Sequence, residues 1–294
     1  MINKIIETQK KEVEKQHELA QSERIIAEEL REIAERQKHL IQEKQTEIID
    51  SINYAKHIQQ ALLRDEENTG THLPEHFILY RPKDIVAGDY YWAAEKSDHW
   101  YVAAADCTGH GVPGAMLSML GMTFLNEIIS EDKLLPPAEI LNRLRARIIK
   151  ELRQRGKSGE SRDGMDISLL RINLDTKDLE WAGANNSLYF ISENLLQEIK
   201  ADKQPVGYFE NAQPFNNHSF KLIPGNCLYL FSDGYADQFS VENKKLMKKR
   251  FKELLLQTHE QPLKKQKEFL SDFIDKWKGK TEQTDDVLVI GIRV

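Results

Sequence analysis

The first 64 residues contain neither glycine nor proline. They are dense in Glu, Lys, Gln and Arg, which keep much of their rotamer freedom in a helix. The composition suits one regular conformation above others, a long exposed helix. Its apolar residues recur at heptad-like spacing. Ile2, Ile6, Val13 and Ala20 fit one frame, and Ile26, Leu30, Ile33 and Leu40 fit another. Ile41, Ile48, Ile52, Ala55 and Leu62 fit a frame shifted by one residue, and Gln37, Gln45 and Gln59 put polar side chains on the seam. The pattern predicts a marginal, parallel, two-stranded coiled coil over residues 1–64, with a phase change at Leu40-Ile41. Such a helix makes the chain a homodimer; without a partner, its stripe would have to fold back on its own domain. His57, flanked by Lys56 and Ile58 with no acidic neighbour, reads as a surface or seam residue, not a phosphate acceptor.

Asp65 to Pro74 (DEENTGTHLP) breaks this pattern with polar residues, Gly and Pro, and marks a domain boundary. Residues 73–294 then read as one globular domain. The net charge of −6 argues against a general nucleic-acid binder. Cys107 and Cys227 lie far apart and form no metal-ligand cluster, which fits free thiols in a reducing cytoplasm. No apolar run approaches the roughly 20 residues that span a bilayer, and the N-terminus has no signal-peptide core. The chain is therefore expected to be cytoplasmic, and it can be the cytosolic part of something longer.

Within the globular part, Phe77–Tyr80, Gly88–Trp92, Trp100–Ala105, Ile167–Leu174, Leu179–Ala182, Leu188–Ile191, Cys227–Phe231 and the final VLVIGIRV read as strands. Helices are expected at Val112–Ile129, Ala138–Arg155, Lys244–Thr258 and Pro262–Trp277, and a long polar loop over residues 200–218. Four aspartates fall at the edges of these buried strands: Asp89 in GDYY, Asp106 in ADCTGHG, Asp233 in FSDG and Asp285 in TDDVLVI. One strand-end aspartate can be a plain turn or cap residue. Four on separate strands can be gathered by a sheet at one edge. Carboxylates suit Mg²⁺ or Mn²⁺, and nothing offers the Cys/His set that zinc prefers. Two such ions about 4 Å apart activate water and neutralise phosphate oxygens.

The ordered set GDYY, D-x-[ST]-G-[HK]-G-x-P, AG-x-N, SDG and a terminal DD strand resembles the SpoIIE/RsbU-type bacterial serine phosphatases of the metal-dependent (PPM) superfamily. The resemblance covers about Leu73 to Val294. It implies an α+β fold, an αββα sandwich of two antiparallel sheets flanked by helices, with two Mn²⁺ or Mg²⁺ ions per active site. It implies that Asp106 bridges both ions, that the Cys107 carbonyl is a ligand beside it, that Asp89 serves the first ion, and that Asp233 and Asp285 serve the second. Asp286 is the weaker candidate of its pair. Ala184 and Trp92 depart from the pattern, where relatives carry His and Asp. His110, in the turn after Asp106, is either the acid that protonates the leaving serine or a structural turn residue. Asp163 and Asp166 either hold a further metal or, for Asp166, simply begin a strand.

The expected activity is hydrolysis of phosphoserine or phosphothreonine on a regulatory protein by metal-activated water, with no covalent intermediate. No Cys-x5-Arg loop is present. The resemblance implies a STAS-type anti-sigma-factor antagonist as substrate. The phase change at Leu40-Ile41 and the polar seam make the coiled coil either a switch between two near-equal registers that an upstream domain biases, or a passive tether. The rival reading is a signal-relay scaffold whose phosphatase-like domain mainly binds a partner. A metal-dependent nuclease is opposed by the acidic balance and the lack of a basic aromatic groove.

Overall fold

The computed structural model describes residues 1–63, 73–131, 133–157, 160 and 162–294. Most of the expected linker Asp65–Pro74, and part of the loop expected at 156–163, lie outside the described residues. By its contacts the chain divides into two compact units, Met1–Asn53 and Tyr54–Val294.

The first unit is helical. Helix α1 runs Ile2–Leu62, as the absence of Gly and Pro dictates. Ile26, Leu30, Ile33, Leu40, Ile41 and Ile48 are each more than half exposed on the single chain. Its ion pairs Arg24–Glu28, Arg31–Glu35 and Lys44–Glu47 are all exposed, and such pairs add only tenths of a kcal/mol each, roughly 0.3–0.5.

The second unit holds ten strands and, after the end of α1, five further helices among the described residues. Strands β1 (Glu75–Arg81), β10 (Val287–Arg293), β9 (Cys227–Phe231), β6 (Leu188–Ser192) and β7 (Leu195–Ile199) form one sheet in that order. Strands β2 (Tyr90–Lys96), β3 (His99–Cys107), β4 (Met165–Asn173), β5 (Asp178–Ala184) and β8 (His218–Lys221) form the other. Every named pairing is antiparallel.

Alternation along the strands explains the layering. On β3, Trp100, Val102 and Ala104 pack with Leu170, Leu228, Leu230, Leu288 and Ile290 between the sheets. The intervening Tyr101, Ala103 and Ala105 face the other way, with helices α2 (Gly111–Ser130) and α3 (Pro137–Glu151). On the far sheet, Tyr229, Phe231, Val287 and Val289 pack against α5 (Met247–Thr258) and α6 (Leu263–Lys278). A strand buried on both faces reads as a continuous apolar run rather than an alternating one, as CLYLF and VLVIGIRV do. The result is the expected αββα sandwich of two antiparallel sheets.

Several boundaries differ from expectation for local reasons. Asp89 precedes β2 instead of lying within it. Helix α3 ends at Glu151, and Arg153 turns the chain with φ 52°. Helix α5 starts at Met247, because Lys245 bridges back to Phe239 and Leu246 N–H donates to the Gln238 carbonyl. Strand β8 begins at His218, the end of the expected loop. Helix α2 is long and apolar enough, by length and composition, to cross a membrane, contrary to the expectation that no segment is; half of it is buried inside this domain.

The register of α1 also corrects one assignment. Gln59, placed on the coiled-coil seam by its spacing, lies in the second unit and is buried. Its side chain turns to the domain, where Nε2 donates to the Ala87 carbonyl at 2.7 Å and to Ser118 Oγ on α2 at 2.8 Å.

Candidate active site

Register brings the strand ends together. Tyr90 lies opposite Ala105, so Asp89, just before β2, stands beside Asp106, near the end of β3. Asp106 is in turn opposite Asp166 on β4. In the other sheet, Phe231 is opposite Val289, which puts Asp233 at the same end as Asp285 and Asp286. The two sheet ends are tied to each other by Asp286. Its Oδ1 accepts from Lys83 N–H at 2.7 Å, and its Oδ2 accepts from Gly88 N–H at 2.8 Å and Asp89 N–H at 3.3 Å. Ser232 adds a second tie: it hydrogen-bonds the Asp89 carboxyl, and its Oγ accepts from Leu288 N–H.

Crowding carboxylates in a partly dry site raises their proton affinity. Asp89 is 2% exposed. Burial first, and then the neighbouring Asp106, push it well above the usual carboxylate range, with Ser232 acting against the shift. Asp106 is pushed up to about 8, by burial and then by Asp233, Asp285 and Asp166, while its hydrogen bond with Asp89 lowers it. Asp233 rises to about 6 through burial, Asp237 and Asp285, tempered by Lys245 and Lys248. Burial also raises Asp166, against a hydrogen bond from Asn185 at 2.8 Å and the charge of Lys248. Asp285 Oδ1 accepts from the Asp286 N–H at 2.8 Å.

These groups share one field without forming a closed cage. Among the described residues, no three His, Cys, Asp or Glu side chains are drawn tightly enough to grip an ion by themselves. Mg²⁺ sites in general use a few carboxylates and keep several waters. Asp89 Oδ2 is buried and has no hydrogen-bond partner within the protein, an oxygen suited to a cation.

The backbone around the cleft is close-packed. A Cβ on Gly88 would meet the Gly109 carbonyl oxygen at 2.5 Å, and one on Gly114 would meet the same oxygen at 2.2 Å, so only hydrogen fits at either position. Cys107 ends β3 with its thiol buried, and burial pushes that thiol up, away from the thiolate a nucleophile needs. His110 is the N-cap residue of α2, but its side chain does not cap the helix. Its Nδ1 stands 2.8 Å from Asp84 Oδ2. Asp163 lies ahead of β4, its carbonyl accepting from Gln154 Nε2.

The structure thus brings Asp89, Asp106, Asp166, Asp233 and Asp285 to one end of the sandwich. Sequence reading missed Asp84, the buried Gln59 and the tie made by Ser232. Asp286, by sequence the weaker metal candidate of its pair, has its oxygens occupied by backbone donors. Ser232 and Asp286 adjoin the singled-out aspartates, which is the one signal that points to them. Asp84 and Gln59 carry no local signal.

The family model described as Stage II sporulation protein E (SpoIIE) matches residues 96–294. The phosphoserine phosphatase RsbU of Bacillus subtilis (strain 168) is 24% identical, the match taking in 66% of this chain and 55% of RsbU, so the chain spans about half the length of that relative. The PP2C domain of SiaA from Pseudomonas aeruginosa matches with a TM-score of 0.75 and 31% identity, over 85% of this chain and 98% of that one. The PP2C phosphatase domain of the cell-fate determinant SpoIIE from Bacillus subtilis, solved with a fragment of its regulatory domain, gives a TM-score of 0.62. It is 16% identical, over 77% of this chain and 64% of that one, a likeness of fold.

Proposed function

Since this chain belongs to the SpoIIE family and carries a PP2C-type serine phosphatase domain, we propose that it hydrolyses phosphoserine or phosphothreonine on a regulatory protein, using a pair of Mg²⁺ or Mn²⁺ ions. The observation that carries this reading is the convergence of Asp89, Asp106, Asp233 and Asp285 at one end of the sandwich, with a buried oxygen of Asp89 left for a cation. The donors are hard oxygens, as these ions require. Asp106 would serve both ions, with the Cys107 carbonyl a ligand beside it, Asp89 on the first ion and Asp233 and Asp285 on the second. When bound, the ions supply water activation and charge neutralisation of the phosphate.

The chain's own residues do the rest. His110 donates a proton to the departing serine oxygen. The buried Cys107 thiol takes no part as a nucleophile, so phosphate leaves without a covalent enzyme intermediate. Asp286 and Gly88 fix the loop before Asp89, so its carboxyl needs little reorganisation when substrate arrives.

The substrate in this reading is a phosphoserine protein, supported by the similarity to the phosphoserine phosphatase RsbU, and its STAS type is carried over from the family resemblance. The part of α1 that precedes Tyr54 forms a homodimeric coiled coil, supported by its exposed heptad stripe. An upstream domain would bias its two registers, and the last turn of α1 would pass the change to Ala87 and Ser118 through Gln59. The test is phosphate release from phosphorylated STAS proteins with Mn²⁺, with EDTA as control. Binding of a phosphoprotein with no release at any Mn²⁺ concentration would favour a scaffold instead. For the regulatory part, leucine-zipper fusions in successive helical phases should give different activities; equal activity in every phase would leave the helix a plain dimeriser.

A further inference from the structure

Asp84 belongs to no motif, yet the turn after β3 is built around it. Its Oδ2 lies 2.8 Å from His110 Nδ1. The same oxygen would stand 3.3 Å from a Cβ on Gly111, a residue held at φ 63°, so the turn bends closely past the carboxylate. Asp84 is itself fixed from behind. The preceding residue, Lys83, donates its N–H to Asp286 Oδ1, and further along the same loop Ala87 and Gly88 are held by Gln59 and Asp286. About half of each side chain of the pair remains exposed, so the pair lies open to a ligand.

A carboxylate oxygen accepts, so the hydrogen between the two lies on Nδ1. A ring held by Nδ1 has its tautomer and direction set, and Nε2 is the nitrogen left to face outward. Pairing a catalytic imidazole with a carboxylate on its far nitrogen is a recurring way of orienting it.

We propose that Asp84 is a positioning residue for the phosphatase reaction: it holds His110 by Nδ1 so that Nε2 delivers the proton to the leaving serine oxygen. This rests on the reading of His110 as the acid. In the step concerned, water oxygen bonds to phosphorus as the bond between phosphorus and the serine oxygen breaks. His110 enters this step as the imidazolium, protonated on both nitrogens: the serine oxygen takes the Nε2 proton, which leaves a neutral ring protonated on Nδ1 against Asp84, the water gives one proton to solvent, and Nε2 is reprotonated from solvent. No redox partner is involved.

The experiment compares two substrates that differ in their need for an acid. A phosphoserine peptide leaves as an alkoxide unless protonated; p-nitrophenyl phosphate leaves as a stable phenolate. Full-length protein with Mn²⁺ is assayed as wild type, His110→Ala, Asp84→Asn, Asp84→Glu and the double variant His110→Ala/Asp84→Asn. Removing the acid should lower kcat on the peptide by about 100-fold or more and leave the aryl phosphate nearly unchanged. Asp84→Asn should lower peptide kcat by about tenfold with KM unchanged, Asp84→Glu should recover part of it, and the double variant should match His110→Ala alone. Nitrogen NMR of the metal-free protein should show a protonated Nδ1 that becomes mixed between the two nitrogens in Asp84→Asn. Equal losses on both substrates for Asp84→Asn, or losses that multiply with those of His110→Ala, would overturn the proposal. If His110→Ala slows both substrates equally, the acid reading and the Asp84 role fail together. Metal-dependent hydrolysis itself would still stand if EDTA abolishes the remaining rate.

Discussion

Gln59 and Ala87 exchange two hydrogen bonds: Gln59 Nε2 donates to the Ala87 carbonyl at 2.7 Å, and Ala87 N–H donates to Gln59 Oε1 at 3.2 Å. The amide thus completes the backbone of the loop two residues before Asp89, as a strand partner would. Nε2 also reaches Ser118 on α2, the helix that follows the His110 turn. One buried side chain from the end of α1 therefore touches both segments that flank the carboxylate cluster.

Truncating Gln59 leaves the Ala87 N–H buried and unpaired, at about 1–3 kcal/mol for such a group, and leaves the Ala87 carbonyl only the long 3.4 Å hydrogen bond from Ser118 Oγ. Gln59→Ala should lower Tm by several degrees and reduce kcat more than it raises KM. Gln59→Leu, of similar size but apolar, should do no better. Thermal melts beside steady-state kinetics decide the matter, and a Gln59→Leu protein with wild-type Tm and kcat would remove the residue from any coupling role.

The same contact sets where the chain can be cut. A protein beginning at Tyr54 keeps Gln59 and should fold and melt like the full chain, but run as a monomer at micromolar concentration. One beginning at Leu73 should melt lower. Light scattering on the full chain should report a dimer; a monomeric full chain at that concentration would refute the coiled coil.

Asp106→Asn and Asp233→Asn should each lower activity by about 100- to 1000-fold or more, the scale of losing one preorganised electrostatic contact. Both should remain folded, since neither changes side-chain volume. Activity should vanish in EDTA and return with Mn²⁺ or Mg²⁺. Full activity of either variant in EDTA is the result that defeats the metal reading.

The raised carboxyls also predict a pH dependence of stability in metal-free protein. Asp106 at about 8 and Asp233 at about 6 hold protons in the folded state that the unfolded chain, near 3.8, has already lost. Between about pH 4 and pH 8 the folded state binds more protons, so stability falls as pH rises through that window. In EDTA, Tm should therefore drop from pH 5 to pH 8. Asp106→Asn, which removes the larger of these shifts, should flatten the drop and raise Tm at pH 8 by about 4 °C or more, since each kcal/mol moves Tm by ~2–4 °C in a domain of this size. Mn²⁺ should raise the wild-type Tm at pH 8 and leave Asp106→Asn far less affected. A wild-type Tm that is flat or rising over this range would contradict the assigned burial.

What could be read from the chain alone is what local composition and short periodicities specify. A long run free of Gly and Pro can hardly be anything but helix, and it is α1. Uninterrupted apolar runs such as CLYLF mark strands covered on both faces, and the aspartates bounding them mark where those strands leave the core. The αββα layering and the shared end of Asp89, Asp106, Asp233 and Asp285 follow from such signals together with family resemblance. What only the tertiary structure decided are pairings between distant residues. Gln59 finds Ala87 at 28 residues' separation, His110 finds Asp84 at 26, and Asp286 finds Lys83 at 203. A heptad count put Gln59 on a seam because helical periodicity fixes which residues share a face, not what that face meets. A hydrogen bond is specified by both partners and by the register that delivers them, and that register is set by the packing of two whole sheets. No window of sequence around Gln59, Asp84 or Asp286 contains it.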